Sequence, residues 1–131
     1  MNWPANWAEQ MWAIHGAVNT LPYVGDAEKY KQADFWTEIT ESGGDCEDYS
    51  ITKLRRLIQC GWPVETLHLA CCYVETGEYH AVLVVETPDG AYMLDNRIDV
   101  PVTVDQLKSI GYRPHVIQAV GGKPQWKEWL L

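Results

Sequence analysis

The chain reads as an α+β fold, helices first and an antiparallel sheet after them, and three observations carry that reading. Apolar residues recur at helical spacing from Trp7 to Leu21 and again from Cys46 to Ile58. Beyond Pro63 the period changes to alternation, over residues 67–75 and 79–87. The second alternating run meets a third at Pro88-Asp89-Gly90, a strong hairpin turn with proline at its first corner and glycine supplying positive φ. A length of 131 residues suits a single domain over 1–131, large enough to bury about two thirds of its unfolded surface in one core.

Taken in order, Asn6 is placed to cap the first helix, with Glu9 completing a capping-box pattern. Trp7, Met11, Ile14, Val18 and Leu21 form its apolar stripe, which stops at Pro22. Gly25-Asp26 marks a turn, residues 26–31 suit a short helix, and residues 33–42, with Phe35, Trp36 and Ile39, suit another or an irregular segment. Gly43-Gly44 breaks the chain. Asp45 then occupies an N-cap position, and residues 46–59 make the strongest helix, with Cys46, Tyr49, Leu54, Leu57 and Ile58 on one side. Acidic residues at its start and Lys53, Arg55 and Arg56 toward its end suit the helix dipole, and Gly61 is a C-cap.

Strand 67–75 places Leu67, Leu69, Cys71 and Tyr73 on one face, and Thr76-Gly77-Glu78 turns the chain into strand 79–87. Residues 91–94 return antiparallel. With Thr87 and Gly90 flanking the corner, Asp95 falls opposite Val82, on the same side of the sheet as His80 and diagonal to it. A register slip of one residue would put the two on opposite faces. Residues 105–110 suit a short helix ending at Gly111, residues 114–120 a last strand, and residues 126–131 an aromatic tail.

Composition narrows the function. A net charge of −8 repels phosphate backbones, so nucleic acid is not the expected partner. No run of about 18 apolar residues is present to span a membrane. The start, Met1 to Asn6, lacks a basic and then apolar leader, so a cytoplasmic location is expected for the chain as translated. Seven Trp and seven Tyr against one Phe suggest that some aromatic residues line a groove as well as the core. Cys46, Cys60, Cys71 and Cys72 form no Cys-x-x-Cys pair, and adjacent cysteines suit a disulfide poorly, so reduced thiols are expected. A zinc site from His68, Cys71, Cys72 and His80 is weak, because neighbours on a strand point to opposite faces.

Against that background Gly44-Asp45-Cys46-Glu47-Asp48-Tyr49, then His80, then Asp95-Asn96, place a thiol, an imidazole and a carboxylate beside readable structural signals. A helix N-terminus favours a thiolate through its dipole and free N–H groups, and the same N–H groups can receive an oxyanion. His80 could take the proton of Cys46 while Asp95 fixes its tautomer. Singly, each residue has a plainer reading: a buried cysteine under a helix, a half-buried strand histidine, an Asp-Asn turn. Asp45, Glu47 and Asp48 complicate matters, since their charge raises the thiol pKa. They either cap the helix or bind a divalent cation, Ca²⁺ being the one suited to oxygen ligands. His15, His68 and His115 receive no role.

The string Gly44-Asp45-Cys46-Glu47-Asp48-Tyr49, with Val18-Asn19, Tyr23, Asp34-Phe35-Trp36 and Lys53 around it, then His80-Ala81-Val82-Leu83 and Leu94-Asp95-Asn96, resembles the bacterial transglutaminase-like cysteine proteinases. The likeness runs from about residue 18 to 96, with a looser tail containing Tyr112 and Pro114. It implies a papain-like transglutaminase core, the Cys46 helix packed on an antiparallel sheet that carries His80 and Asp95. It also implies a thiol-protease mechanism, with Cys46 as nucleophile, His80 as base and then acid, and Asp95 orienting the imidazole. Some members look calcium-dependent through acidic residues beside the nucleophile, which maps onto Asp45 and Glu47 and less directly onto Asp48. Trp36 is the candidate for an indole that helps hold the oxyanion.

Better-known members are larger periplasmic proteases that clip bacterial surface adhesins, whereas this chain is close to a minimal core, a size that would suit a phage or other mobile element. The expectation is therefore a cysteine hydrolase that cleaves a peptide or other amide bond through a thioester, with a protein or peptide as its substrate. The rivals are a transglutaminase or deamidase acting on glutamine, a non-catalytic binding module on the same fold, and an acidic mimic that occupies a basic partner.

Overall fold

The computed structural model describes residues 2–22, 45–119 and 126–130, and within them two α-helices precede a six-stranded antiparallel sheet. Helix α1 is Trp7–Asn19 and helix α2 is Cys46–Gln59. The strands are β1 Leu67–Tyr73, β2 Tyr79–Thr87, β3 Gly90–Leu94, β4 Val102–Thr103, β5 Arg113–Ala119 and β6 Lys127–Glu128. They lie in the order β4-β3-β2-β1-β5-β6. The α+β expectation is met. The short helices expected over residues 26–31 and 33–42, with Trp36, lie outside the described residues.

The two helices start differently. At α1 the expected capping box does not form, for Asn6 makes no side-chain cap bond. Its carbonyl instead accepts from the Gln10 N–H at 3.1 Å, an ordinary backbone start. At α2 the cap is complete: Asp45, in extended conformation, accepts from the helix while Asp48 reaches back to it. That fixes the first turn, which carries Cys46.

Strands β1 and β2 are buried on both faces, which the one-sided alternation read from the sequence missed. On one face Leu67, Leu69, Leu83, Val85 and Leu94 pack with Met11, Ile14 and Val18 of α1 and Leu54 and Leu57 of α2. On the other, Ala70, Cys72, Val82, Val84 and Met93 meet Val104, Leu107, Tyr112 and Trp129. The unbroken apolar run Ala81 to Val85 was the signal for two-sided burial. Each large aliphatic side chain so buried stabilises by about 1.5–3 kcal/mol, and Leu57→Ala would remove about 2–5 kcal/mol by leaving a cavity between α2 and the sheet.

The hairpin register agrees with the turn chemistry: Thr87 lies opposite Gly90 and Leu83 opposite Leu94. Gly90 takes φ of 117°, as the corner requires. The helix expected over residues 105–110 is only a 3-10 turn, Val104–Gln106, followed by further turns. The segment leaves through Gly111, where φ is 83° and a Cβ would stand 2.9 Å from that of Glu75. The chain must turn sharply and press against the end of β1 before β5 begins. Among the described residues no helix is long and apolar enough to cross a membrane.

Candidate active site

Cys46 is the first residue of α2, and the cap beneath it is made by its neighbours. Asp45 Oδ1 accepts from the N–H groups of Glu47 at 3.1 Å and Asp48 at 3.3 Å, and Asp48 Oδ2 accepts from the Asp45 N–H at 3.1 Å. The Cys46 sulfur lies against the start of β2, where it accepts from the Ala81 N–H at 3.4 Å. Its pKa is pushed up to about 12, first by burial and then by the charges of Asp45, Glu47 and Asp95, against the opposing pull of the Ala81 N–H. Burial and like charge thus oppose the thiolate expected from the helix terminus.

His80 and Asp95 meet directly. The His80 Nε2–H donates to Asp95 Oδ1 at 2.6 Å, with both side chains buried. A carboxylate can only accept, so this bond fixes the proton on Nε2 and leaves the Nδ1 lone pair of the neutral ring for another partner. Asp95 Oδ1 also accepts from the Arg97 N–H at 2.9 Å, and Oδ2 accepts from the Tyr112 hydroxyl at 2.5 Å. Burial alone would raise the Asp95 pKa. The bonds from His80, the Arg97 backbone and Tyr112 overcome it, and the carboxyl lies below its ordinary value.

Two of these partners were not legible as site residues. Tyr112 figured only in the loose tail of the resemblance, and Arg97 not at all. The Arg97 guanidinium donates to the Tyr112 oxygen at 2.9 Å and forks onto the Glu75 carboxylate, so Tyr112 is held from both sides. Burial and the bond to Asp95 keep the phenol protonated. The Tyr112 ring stands edge-on to the His80 ring, 6.3 Å between centroids. Nothing in local spacing signals this, because the tyrosine arrives from the segment before β5.

Cys46 and His80 line one open cavity of about 520 Å³, together with Asn19, Tyr49, Tyr79 and Asn96. Among the described residues no hydrogen bond joins the sulfur to the His80 ring; the sulfur touches the backbone one residue further on. The other histidines are placed as well. His68 contacts Glu86 at 2.9 Å and His115 contacts the Tyr79 hydroxyl at 2.7 Å. His80 is committed to Asp95, so the four-residue zinc idea has no geometric support. His15, given no role from the sequence, is fully buried.

The acidic lip offers oxygen atoms of the kind a hard cation takes, but Asp45 and Asp48 also hold the helix cap. Among the described residues no group of three or more His, Cys, Asp or Glu side chains is arranged to hold a metal ion. Asp45, Glu47 and Asp48 alone are thus at most part of a calcium site.

A thiol at a helix start, lining one cavity with the histidine of an imidazole–carboxylate pair carried by an antiparallel sheet, fits the transglutaminase-like class of thiol-enzyme fold. Within it the chain belongs to the bacterial transglutaminase-like cysteine proteinases, whose family model matches residues 2–129. Solved structures of Legionella pneumophila LapG share the fold. The calcium-bound form superposes with a TM-score of 0.74 at 24% identity, covering 88% of this chain and 66% of that one. The EGTA-treated form gives 0.69 at 21% identity, covering 92% and 71%, and a further LapG structure gives 0.69 at 24%, covering 84% and 62%. The chain thus spans roughly two thirds of the length of these LapG chains. No curated protein matches it in sequence.

Proposed function

We propose that the protein is a thiol-dependent peptidase that cleaves a peptide or other amide bond through Cys46, His80 and Asp95. The observation that carries the reading is the His80–Asp95 bond, which leaves Nδ1 as the basic nitrogen of a ring that lines one cavity with Cys46. Nδ1 takes the thiol proton as the sulfur forms a bond to the carbonyl carbon. The Cys46 N–H, without an intrahelical partner at the first helical position, is available to the oxyanion. The C–N bond then breaks, the leaving amine takes the proton from His80, and a thioester to Cys46 remains. Water, deprotonated by the same nitrogen, hydrolyses it and restores the thiol. Asp95 holds the ring and stabilises the transient imidazolium.

The test is alkylation with a peptidyl chloromethyl ketone, which must seat in the cavity beside His80 as a small free alkylating agent need not, followed by peptide mapping, alongside digestion of unfolded protein. Cys46 should react ahead of Cys60, Cys71 and Cys72 in the folded chain, and His80→Ala should remove that preference. Unselective labelling overturns the reading. Incorporation of an amine into glutamine without chain cleavage would replace the peptidase with an acyl transferase.

Calcium enters as a subsidiary proposal, with Asp45 and Glu47 as the residues that would draw it. The charges of both raise the Cys46 pKa, and a bound divalent cation supplies charge that offsets them. The Cys46 alkylation rate should then rise with added calcium and fall with chelator, and equal rates in both would discard the cation.

A further inference from the structure

Helices α1 and α2 carry two fully buried side chains, His15 and Lys53, and a half-buried one, Asn19, that the proposed chemistry does not use. Lys53 and His15 are both fully shielded from solvent. Lys53 Nζ lies 3.2 Å from His15 Nδ1, and His15 Nε2 lies 2.8 Å from the Ile98 carbonyl oxygen. A carbonyl only accepts, so the ring proton sits on Nε2, and Nδ1 is left as the acceptor that the lysine requires. Asn19, one turn along α1, donates from Nδ2 to the carbonyl oxygens of Asp95 at 3.1 Å and Ile98 at 3.2 Å. Two acceptors fix which way its amide faces. The contact of 3.2 Å between Asn19 Nδ2 and His15 Nε2 is then proximity between two donors.

Those two carbonyls bound the turn over residues 95–98, which the Ile98 N–H closes onto the Asp95 carbonyl at 3.2 Å. The same turn presents the Asp95 side chain to His80. It is therefore gripped by its backbone from the helix side and by its carboxylate from the sheet side. A buried ammonium is destabilising relative to an apolar side chain of similar volume, so its presence at this point calls for a reason other than packing. Burial, followed by the Lys53 charge, drives the His15 pKa down to about 4, which keeps the ring neutral in the tautomer the chain of contacts needs. Burial likewise lowers Lys53 to about 7, with the Asp95 charge opposing it.

We propose that Lys53, His15 and Asn19 are positioning residues, holding the 95–98 turn so that the Asp95 carboxylate stays aimed at the His80 ring. The inference rests on the peptidase reading above, and its test separates the two. In the full chain, His15→Leu breaks both contacts of the ring. His15→Gln can keep both, since its amide N–H can donate to Ile98 while its carbonyl accepts from Lys53. Lys53→Met removes the ammonium at similar length. Three quantities are read for each variant: the Cys46 alkylation rate, the NMR resonance of the His80 Nε2–H, and the melting temperature.

H15L and K53M should slow alkylation by about ten- to a hundredfold through misplacement of the base, and both should shift or broaden the His80 resonance. H15Q should stay close to the wild type. K53M should melt at or above the wild-type temperature, so its slower reaction cannot be a stability loss. The proposal is overturned if K53M and H15L leave the rate and resonance unchanged while His80→Ala slows alkylation. It is also overturned if the rates of all variants simply follow their melting temperatures. Should His80→Ala itself leave alkylation unchanged, the peptidase reading fails, and the His80 resonance in K53M still decides the positioning role.

Discussion

The two ends of the candidate site are built in contrasting ways. Asp95 receives hydrogen bonds from His80 on β2, from the Arg97 backbone in its own turn and from Tyr112 ahead of β5. The Cys46 sulfur meets one N–H at 3.4 Å, while the charges of Asp45 and Glu47 oppose its ionisation. The carboxyl is accordingly held below its usual pKa and the thiol well above. The base and its orienting group are organised by hydrogen bonds, whereas the surroundings of the nucleophile oppose its ionisation. The thiol end therefore depends on loss of its proton as the sulfur attacks.

The sharpest way to break that contrast is to remove either end. Cys46→Ala or His80→Ala should reduce kcat/KM on a peptide substrate by about 10⁴-fold or more. Asp95→Asn should cost about 10³- to 10⁴-fold, because the amide can reverse the ring tautomer. An active Cys46→Ala enzyme would mean that the thiol end is not the reacting end at all. A nearly wild-type Asp95→Asn would mean that the well-ordered carboxylate end is merely structural.

Tyr112→Phe tests how much of the order at the carboxylate end comes from its less legible partner. Loss of one bond to a buried carboxylate should destabilise the fold by about 1–3 kcal/mol at neutral pH. The sign of the pH effect follows from the depressed Asp95 pKa. Stability from this group is present above the unfolded carboxyl pKa and is lost as pH falls through the folded value. Without Tyr112 the folded value rises, so acid unfolding should begin at a higher pH. Circular dichroism during acid titration measures this, and coincident curves would show that Tyr112 does not hold the carboxylate.

That bond also marks where the sequence stops being readable. The α2 helix, its Asp45 cap and the β2–β3 register follow from local chemistry: a capping residue, an apolar stripe, and proline and glycine at a corner. The register alone brings Asp95 to the side of His80. Tyr112 and the His15–Lys53 pair are different, for each depends on how separate elements pack. Tyr112 meets Asp95 next to the place where Gly111 packs against Glu75, and Lys53 looks like the solvated basic end of a helix until α1 covers it. The two-residue strands β4 and β6 carry too short a pattern to signal anything. Periodicity reports what one element does, and these features arise between elements.

At the thiol end the expected effects are smaller. Glu47→Gln removes a charge that raises the Cys46 pKa. Even a half-unit fall would increase the thiolate fraction about threefold at pH 8, and alkylation in chelator should quicken accordingly. The same substitution should blunt any calcium response, since it removes a ligand of the proposed cation. Slower alkylation in chelator would show that Glu47 assists the nucleophile by a contact rather than opposing it by charge.

A last comparison probes the carboxylate end from beneath. Folding lowers the Lys53 pKa from 10.5 to about 7. Between those values the unfolded chain holds a proton that the folded chain releases, so this lysine makes stability rise with pH across that window. Below about pH 7 both states carry the proton and the full penalty of the buried charge is present. Lys53→Met has no such group. Its stability relative to the wild type should therefore be greatest near pH 7 and decline toward pH 10, as read by urea unfolding at intervening pH values. Comparing the two proteins cancels the cysteines and tyrosines that titrate in the same range. Parallel profiles would mean that the ammonium is well solvated or well paired in the native state, and the clamp on the 95–98 turn would then be without its buried charge.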